Sequence, residues 1–434
     1  MACSGAPSPG DADGAHAAAH PETGCPAGTL QEWVDAAGVG GTVVVCDRPE
    51  GHPGPVVLRH DITLVGPATI LGGPGPAVHV TAGHARLVDL TLRGGTGAVE
   101  PRLGPDTYGG VLAAWEADAL TVEDSVLEGG SADWGGCVAG PRNGPLTLRR
   151  TTVSGCRATK VGGGVWIRQG GLEDSVVQDN RAPYGGGIAV RSLSVADGDV
   201  FLPGTTVEHN HADVQGGGML VTGPVDVFGG TVLGNTSEQG AGALFSDATG
   251  GWFDGTASAN VASVGGGGVF VRGGQVTLGA LVLDANEASG DALADGRGVG
   301  GGLWVSGDDT TRVALDDIQL QANTAAWGGG LMAAGAHTVG PLVWATGGSF
   351  DTNHADDGGG AAVVGARLVL DATDVRNNDH HGILLDDATL WSRGGAWSNN
   401  TPADIGTASD TFDGGADDWT ACDASGCGLG VPPD

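Results

Sequence analysis

A glycine run returns about every 23–34 residues through most of this chain, and a short apolar segment follows it each time. Gly162-Gly163-Gly164 leads into Val165-Trp166-Ile167, and Gly185-Gly186-Gly187 leads into Ile188-Ala189-Val190. The junction recurs at Gly216 to Gly218, Gly240-Ala241-Gly242, Gly265 to Gly268, Gly300 to Gly302, Gly328 to Gly330 and Gly358 to Gly360. A period of this size marks a stacked repeat. One unit cannot bury its own apolar face, so neighbours bury it jointly.

A second landmark is an asparagine seven or eight residues before the last glycine of most runs. It closes an apolar-x-x-Asn unit at Val177 to Asn180, Val207 to Asn210, Val232 to Asn235, Leu320 to Asn323 and Phe350 to Asn353. Ala257 to Asn260 and Leu283 to Asn286 are weaker copies, and the insert Glu287 to Val299 separates the second from its glycines. Short β-rich runs bounded by Gly, Asn and Asp read as strands. About 28 residues per coil predicts an all-β parallel β-helix with three short strands per turn. Stacked at about 4.8 Å, some 13 coils make a rod of about 60–65 Å. The asparagines fit a ladder of side-chain amides, and the glycines fit corners where a Cβ would clash.

Phe350-Asp351-Thr352-Asn353 followed by Gly359-Gly360-Ala361 resembles the repeat of the chlamydial polymorphic membrane proteins, over roughly residues 105–385. Thr42 to Val45, Ile62 to Gly66 and Leu87 to Leu92 are similar to the first coils of pectate-lyase-like proteins. Both resemblances imply a right-handed, single-stranded parallel β-helix. Neither fixes function, because this fold carries lyases, hydrolases and adhesins.

The formal net charge is −32 and Lys160 is the single lysine, which argues against binding nucleic-acid backbones. It argues less against anionic polysaccharides, where a local arginine patch suffices. Eleven Trp outnumber seven Phe and two Tyr, and rings this large in a narrow solenoid point partly to the surface. Six cysteines form near pairs, Cys25 with Cys46, Cys137 with Cys156 and Cys422 with Cys427, as expected of disulfides in an exported protein. Alternatively, Cys137 simply fills a core slot. Met1-Ala2-Cys3-Ser4-Gly5 looks like the end of a bacterial lipoprotein signal, which would make Cys3 a lipidation site and the protein an outer-membrane lipoprotein. The alternative is that Cys3 has no such role. No stretch reads as a membrane span.

Residues 1–24 read as a leader or tether, 25–405 as the β-helix with its N-terminal cap, and 406–434 as a C-terminal cap closed by Cys422–Cys427. Thr29 to Ala37 reads as a short capping helix, with Thr29 as N-cap, Glu32 completing a capping box, and Leu30, Trp33 and Val34 on one face. Longer coils at Ser192 to Gly204 and Ala288 to Gly298 mark protruding loops.

Strand parity singles out one candidate binding face. If Val165 and Ile167 fill the core, Trp166 points outward, and Leu220, Phe270, Trp304 and Met332 hold the same position on other coils. Such a stripe either stacks on sugar rings or a protein partner, or lies covered by a long turn. The catalytic candidates are Asp356 and Asp357, one coil before His381, Asp386 and Asp387. This Asp-Asp and His-Gly pairing is faintly similar to polygalacturonase-type hydrolases, but no Asn-Thr-Asp and no Arg-Ile-Lys accompany it. The other reading makes these acids and histidines turn residues. His209, His211 and His354 have generic spacing, so no metal site is assigned. No cofactor is expected, with Ca²⁺ the one ion that Asp-rich turns invite. The reading is a monomeric, secreted or surface-anchored β-helix for adhesion, binding a polysaccharide or a cell-surface protein. The alternative is a polysaccharide lyase or glycoside hydrolase.

Overall fold

The computed structural model describes residues 25–101, 104–193, 198–290, 298–335, 340–406, 420–423, 426–429 and 432. The chain winds into a parallel β-solenoid of about 13 turns, with one short helix among the described residues. A middle turn consists of Val165–Ile167, Gly170–Glu173, Val176–Gln178 and Arg181–Tyr184. That is four strands rather than the expected three. The first three join one continuous hydrogen-bonded network, and the fourth belongs to a separate nine-stranded sheet. The polar segment after each asparagine pairs with its neighbours instead of forming a loose turn, as Arg181 does with Arg157 and His211.

Alternation fills the interior. Val165, Ile167, Leu172 and Val177 are fully buried in one core that runs the length of the rod. Trp252 lies in it too, with its indole N–H donating to the Gly229 carbonyl at 2.8 Å. A tryptophan therefore fits inside this solenoid when its polar edge finds a carbonyl.

The asparagines form the expected ladder. Asn180, Asn210, Asn235, Asn260, Asn286, Asn323, Asn353, Asn378 and Asn400 are buried, and each Nδ2 up to that of Asn378 donates to the next Oδ1 at 3.0–3.1 Å. Each Nδ2 donates a second bond to a core-strand carbonyl, as Asn210 does to Val177. Each Oδ1 also accepts a backbone N–H, so the amide is fully satisfied. The glycines make room for it. A Cβ on Gly187 would stand 2.9 Å from Asn210 Nδ2 and 2.7 Å from the Gly218 carbonyl, and Gly185 needs its φ of 63°.

Both ends are covered. The helix Leu30–Ala37 carries the Thr29–Glu32 capping box and buries Leu30 and Val34 in the main core, with Trp33 packed against it. At the other end, Thr420–Asp423 and Gly426–Leu429 form an antiparallel hairpin that adds to Thr389–Arg393. The Cys25–Cys46, Cys137–Cys156 and Cys422–Cys427 disulfides are all formed. Cys3 and the leader lie outside the described residues, as do parts of both long loops. No described helix is long and apolar enough to cross a membrane.

Candidate functional site

Where a fourth strand turns through the glycines into the next first strand, the wall bends and leaves a concave corner. Two rows of side chains face it. One row is the predicted stripe. Pairing links Ala139, Trp166, Ala189, Leu220, Leu244 and Phe270, and continues through Trp304, Met332, Ala362 and Leu384. The other row is the end of the fourth strands, running Tyr108, Trp134, Val161, Tyr184, Gln215 and Gln239. Ala139, Trp166, Ala189 and Leu220 pack in one cluster, and Trp304, Met332, Ala362 and Leu384 in another, both separate from the main core. Parity therefore turns these residues away from the interior, while the bend buries much of them again. Trp166, Phe270 and Met332 are 3%, 2% and 6% exposed, and Leu220 and Trp304 are half-buried.

Around Trp166 the corner is built of rings. Trp115 lies 4.7 Å away between centroids, and Trp134 and Tyr108 stand edge-on at 6.2 and 6.5 Å. Tyr108 stacks on Trp134 at 6.3 Å. The cavity they enclose with Arg142, Arg168, Arg191 and Leu193 measures about 220 Å³. That is below the range for drug-sized ligands and suits a single ring. The buried Trp166 indole nitrogen has no hydrogen-bond partner. Arg191 lies over the Trp134 face, 5.9 Å from the centroid.

One wall is braced from behind. Trp134 Nε1 donates to Asp106 Oδ2 at 3.0 Å, and Lys160 Nζ donates to the same oxygen at 2.6 Å. These two bonds, that of Lys160 first, hold the Asp106 carboxyl below its ordinary value. Burial, with Asp106, Asp133 and Glu100 nearby, pushes the Tyr108 phenol up, so it stays a neutral donor.

A second aromatic group lies further along the corner. Phe270 and Trp304 stack at 4.1 Å and 10°. Gly265 makes this possible, since a Cβ there would meet Trp304 Cε3 at 2.9 Å. On a different wall, Phe201, Phe228 and Phe253 stack at 5.2 and 5.4 Å beside a shallow depression that contains Asp226. Burial first, then Asp199, raises the Asp226 carboxyl.

The acidic candidates do not converge as a set. Asp357 pairs with Trp327 through an isolated bridge, next to Asp356. In the following turn His381, with φ 81°, precedes Ile383–Asp386, while Asp386 ends that strand and Asp387 follows at φ 46°. Four residues of strand, about 10 Å, separate the two ends. His209 occupies a left-handed corner at φ 52°, His211 Nδ1 lies 2.8 Å from Thr236 Oγ1, and His354 Nδ1 lies 2.9 Å from Asp379 Oδ2. Among the described residues no three His, Cys, Asp or Glu side chains gather closely enough to hold a metal.

Sequence reasoning found Trp166 and missed Tyr108, Trp115, Trp134 and the arginines around it. Arg168 and Arg191 carried a usable signal, since each stands two residues after a stripe position and so on the same face. Trp115 and Trp134 carried none, because their turns lack the regular Gly-Gly-Gly and Asn landmarks. No known protein family, characterised protein or solved structure matches this chain.

Proposed function

We propose that this protein is a non-catalytic binding β-helix that takes a ring-bearing ligand, a glycan in the first place, into the Trp166 corner. The observation that carries this reading is the convergence of four aromatic rings around one open cavity, in a chain with only 20 aromatic residues out of 434. Flat ring faces bordered by hydrogen-bond donors suit the apolar face and hydroxyl edge of a sugar. The disulfides support export, and the Phe-x-x-Asn and Gly-Gly-Ala resemblance supports an adhesive role at a cell surface. Titrating a panel of oligosaccharides while following tryptophan fluorescence tests it. A saturable change lost in Trp134→Ala supports the reading, and no response to any member overturns it.

A second reading, a carbohydrate-active enzyme, rests on Asp226 beside the phenylalanine stack, because an acid with a raised pKa is suited to proton donation. Release of reducing ends or unsaturated products from a polysaccharide panel, abolished by Asp226→Asn, would establish it instead.

A further inference from the structure

The corner is more than one pocket. Two residues after each stripe position, on the same outward side of the strand, runs a third row. Arg191 pairs with Thr222, then come Ser246, Arg272 and Ser306. Between the turns of Tyr108 and Ser306 none of the three rows contains Asp or Glu. A carboxylate first enters at Asp357, beyond Trp327. In a chain with 51 acidic against 19 basic residues, a strip this long without an acid is conspicuous.

Arg191 and Arg272 on it also differ from most arginines elsewhere among the described residues, Arg48, Arg157, Arg312 and Arg367 excepted. Arg59, Arg86, Arg93, Arg149, Arg150 and Arg181 each reach a carboxylate. Arg142 and Arg191, at the pocket, make no ion pair among the described residues. Arg272 donates to Ser246 Oγ at 2.7 Å and Gln215 Oε1 at 3.3 Å, both neutral, and so spans the corner between the two aromatic groups with no carboxylate partner among the described residues. Trp166 and Trp304 are five pairing steps apart, about 24 Å along the rod.

We propose that this strip is a track for an extended acidic glycan lying parallel to the rod axis. The Trp166 pocket and the Phe270–Trp304 stack bind its rings, and Arg191 and Arg272 read its anionic groups. Arginine geometry suits carboxylate and sulfate alike. Cations this sparse suit a glycan that is acidic at some of its units, such as a partly esterified polyuronate or a glycan sulfated at intervals, better than a polynucleotide charged at every unit. The proposal rests on the binding reading above and adds to it the charge and the length of the ligand.

Affinity electrophoresis of the full chain tests this, in gels containing a polyuronate, a sulfated glycan, a neutral glycan or single-stranded DNA. We expect retardation by the polyuronate, the sulfated glycan or both, which identifies the anion. It should weaken about tenfold in Arg191→Ala and in Arg272→Ala, as for a lost charge-assisted hydrogen bond. It should also fall with added salt and be unchanged in Arg149→Ala on another wall. Arg272→Gln, which keeps the bonds to Ser246 and Gln215 within reach, separates lost charge from lost structure. Equal retardation by the neutral glycan, unaffected by the arginine variants, overturns the track while leaving the binding function standing. Retardation by DNA alone overturns the track and its polymer class. No retardation by any glycan, with no fluorescence response either, overturns both.

Discussion

The turns before Asn180 and those after it follow the same winding but are held differently at one corner. In the later turns the slot is filled by one asparagine per turn, each bonded to the next. In the two turns before, the same slot holds Cys156 and Gly130, linked by Cys156 N donating to Asn180 Oδ1 and Gly130 N donating to Cys156 Sγ. Cys156 is tied to Cys137 instead of being laddered. These less regular turns supply Tyr108, Trp115 and Trp134. A ladder demands the same residue in every turn and gains its stability from that sameness. A pocket demands different residues in successive turns. The molecule keeps the two in different stretches, and the covalent tie stands where the ladder stops.

The sharpest way to break this contrast is Asn260→Ala in the middle of the ladder. Asn235 N and Asn235 Nδ2 both lose their acceptor inside the core, so the loss should be about 3–6 kcal/mol in chemical denaturation. A loss below about 1 kcal/mol would show that the ladder is replaceable. Next comes the double variant Cys137→Ala, Cys156→Ala. Releasing a link across 19 residues should cost about 3 kcal/mol, measured in the same way. A negligible loss would mean that the early turns are held by packing alone.

Acidification tests the pocket wall. Asp106 is held below its ordinary carboxyl value by Lys160 and Trp134, so its contribution is present above the unfolded value and is lost as pH falls through the lowered one. Lys160→Met should move that acid transition of tryptophan fluorescence upward in pH. An unmoved transition would show that Lys160 does not brace Trp134. The smallest effect is expected at the exposed Arg149–Glu173 pair, 2.7 Å apart, where Arg149→Ala should cost less than about 1 kcal/mol in denaturant. A larger cost would mean that this wall needs its charges as the ladder needs its amides.

What was legible in the sequence follows the same division. Repetition announced the solenoid, the asparagine ladder and the parity of Trp166, because each recurs at a fixed offset from the glycines. The capping helix was legible from Thr29 and Glu32 alone, since a capping box is local. The fourth strand was not, because Arg181–Tyr184 and its neighbours are polar and resemble turns until their pairing is seen. That strand makes the corner, and so decides that the stripe is partly covered. The pocket was hidden for a related reason. Tyr108, Trp115, Trp134 and Trp166 are brought together only by stacking, and no single turn contains more than a part of the set.

The ladder also gives the rod an electrical direction. Along the ladder every Oδ1 after the first accepts from the preceding asparagine and every Nδ2 before the last gives one bond to the following one, so the ladder bonds all point the same way. The oxygen end at Asn180 meets the Cys156 amide. At the other end, Asn400 Nδ2 donates to Asp404 Oδ1 at 2.7 Å. A carboxylate thus stands where the string's partial positive charge emerges, as acidic residues stand at helix N-termini. The solenoid has a polarity that its uniform winding does not reveal, and Asp404 is its counterion.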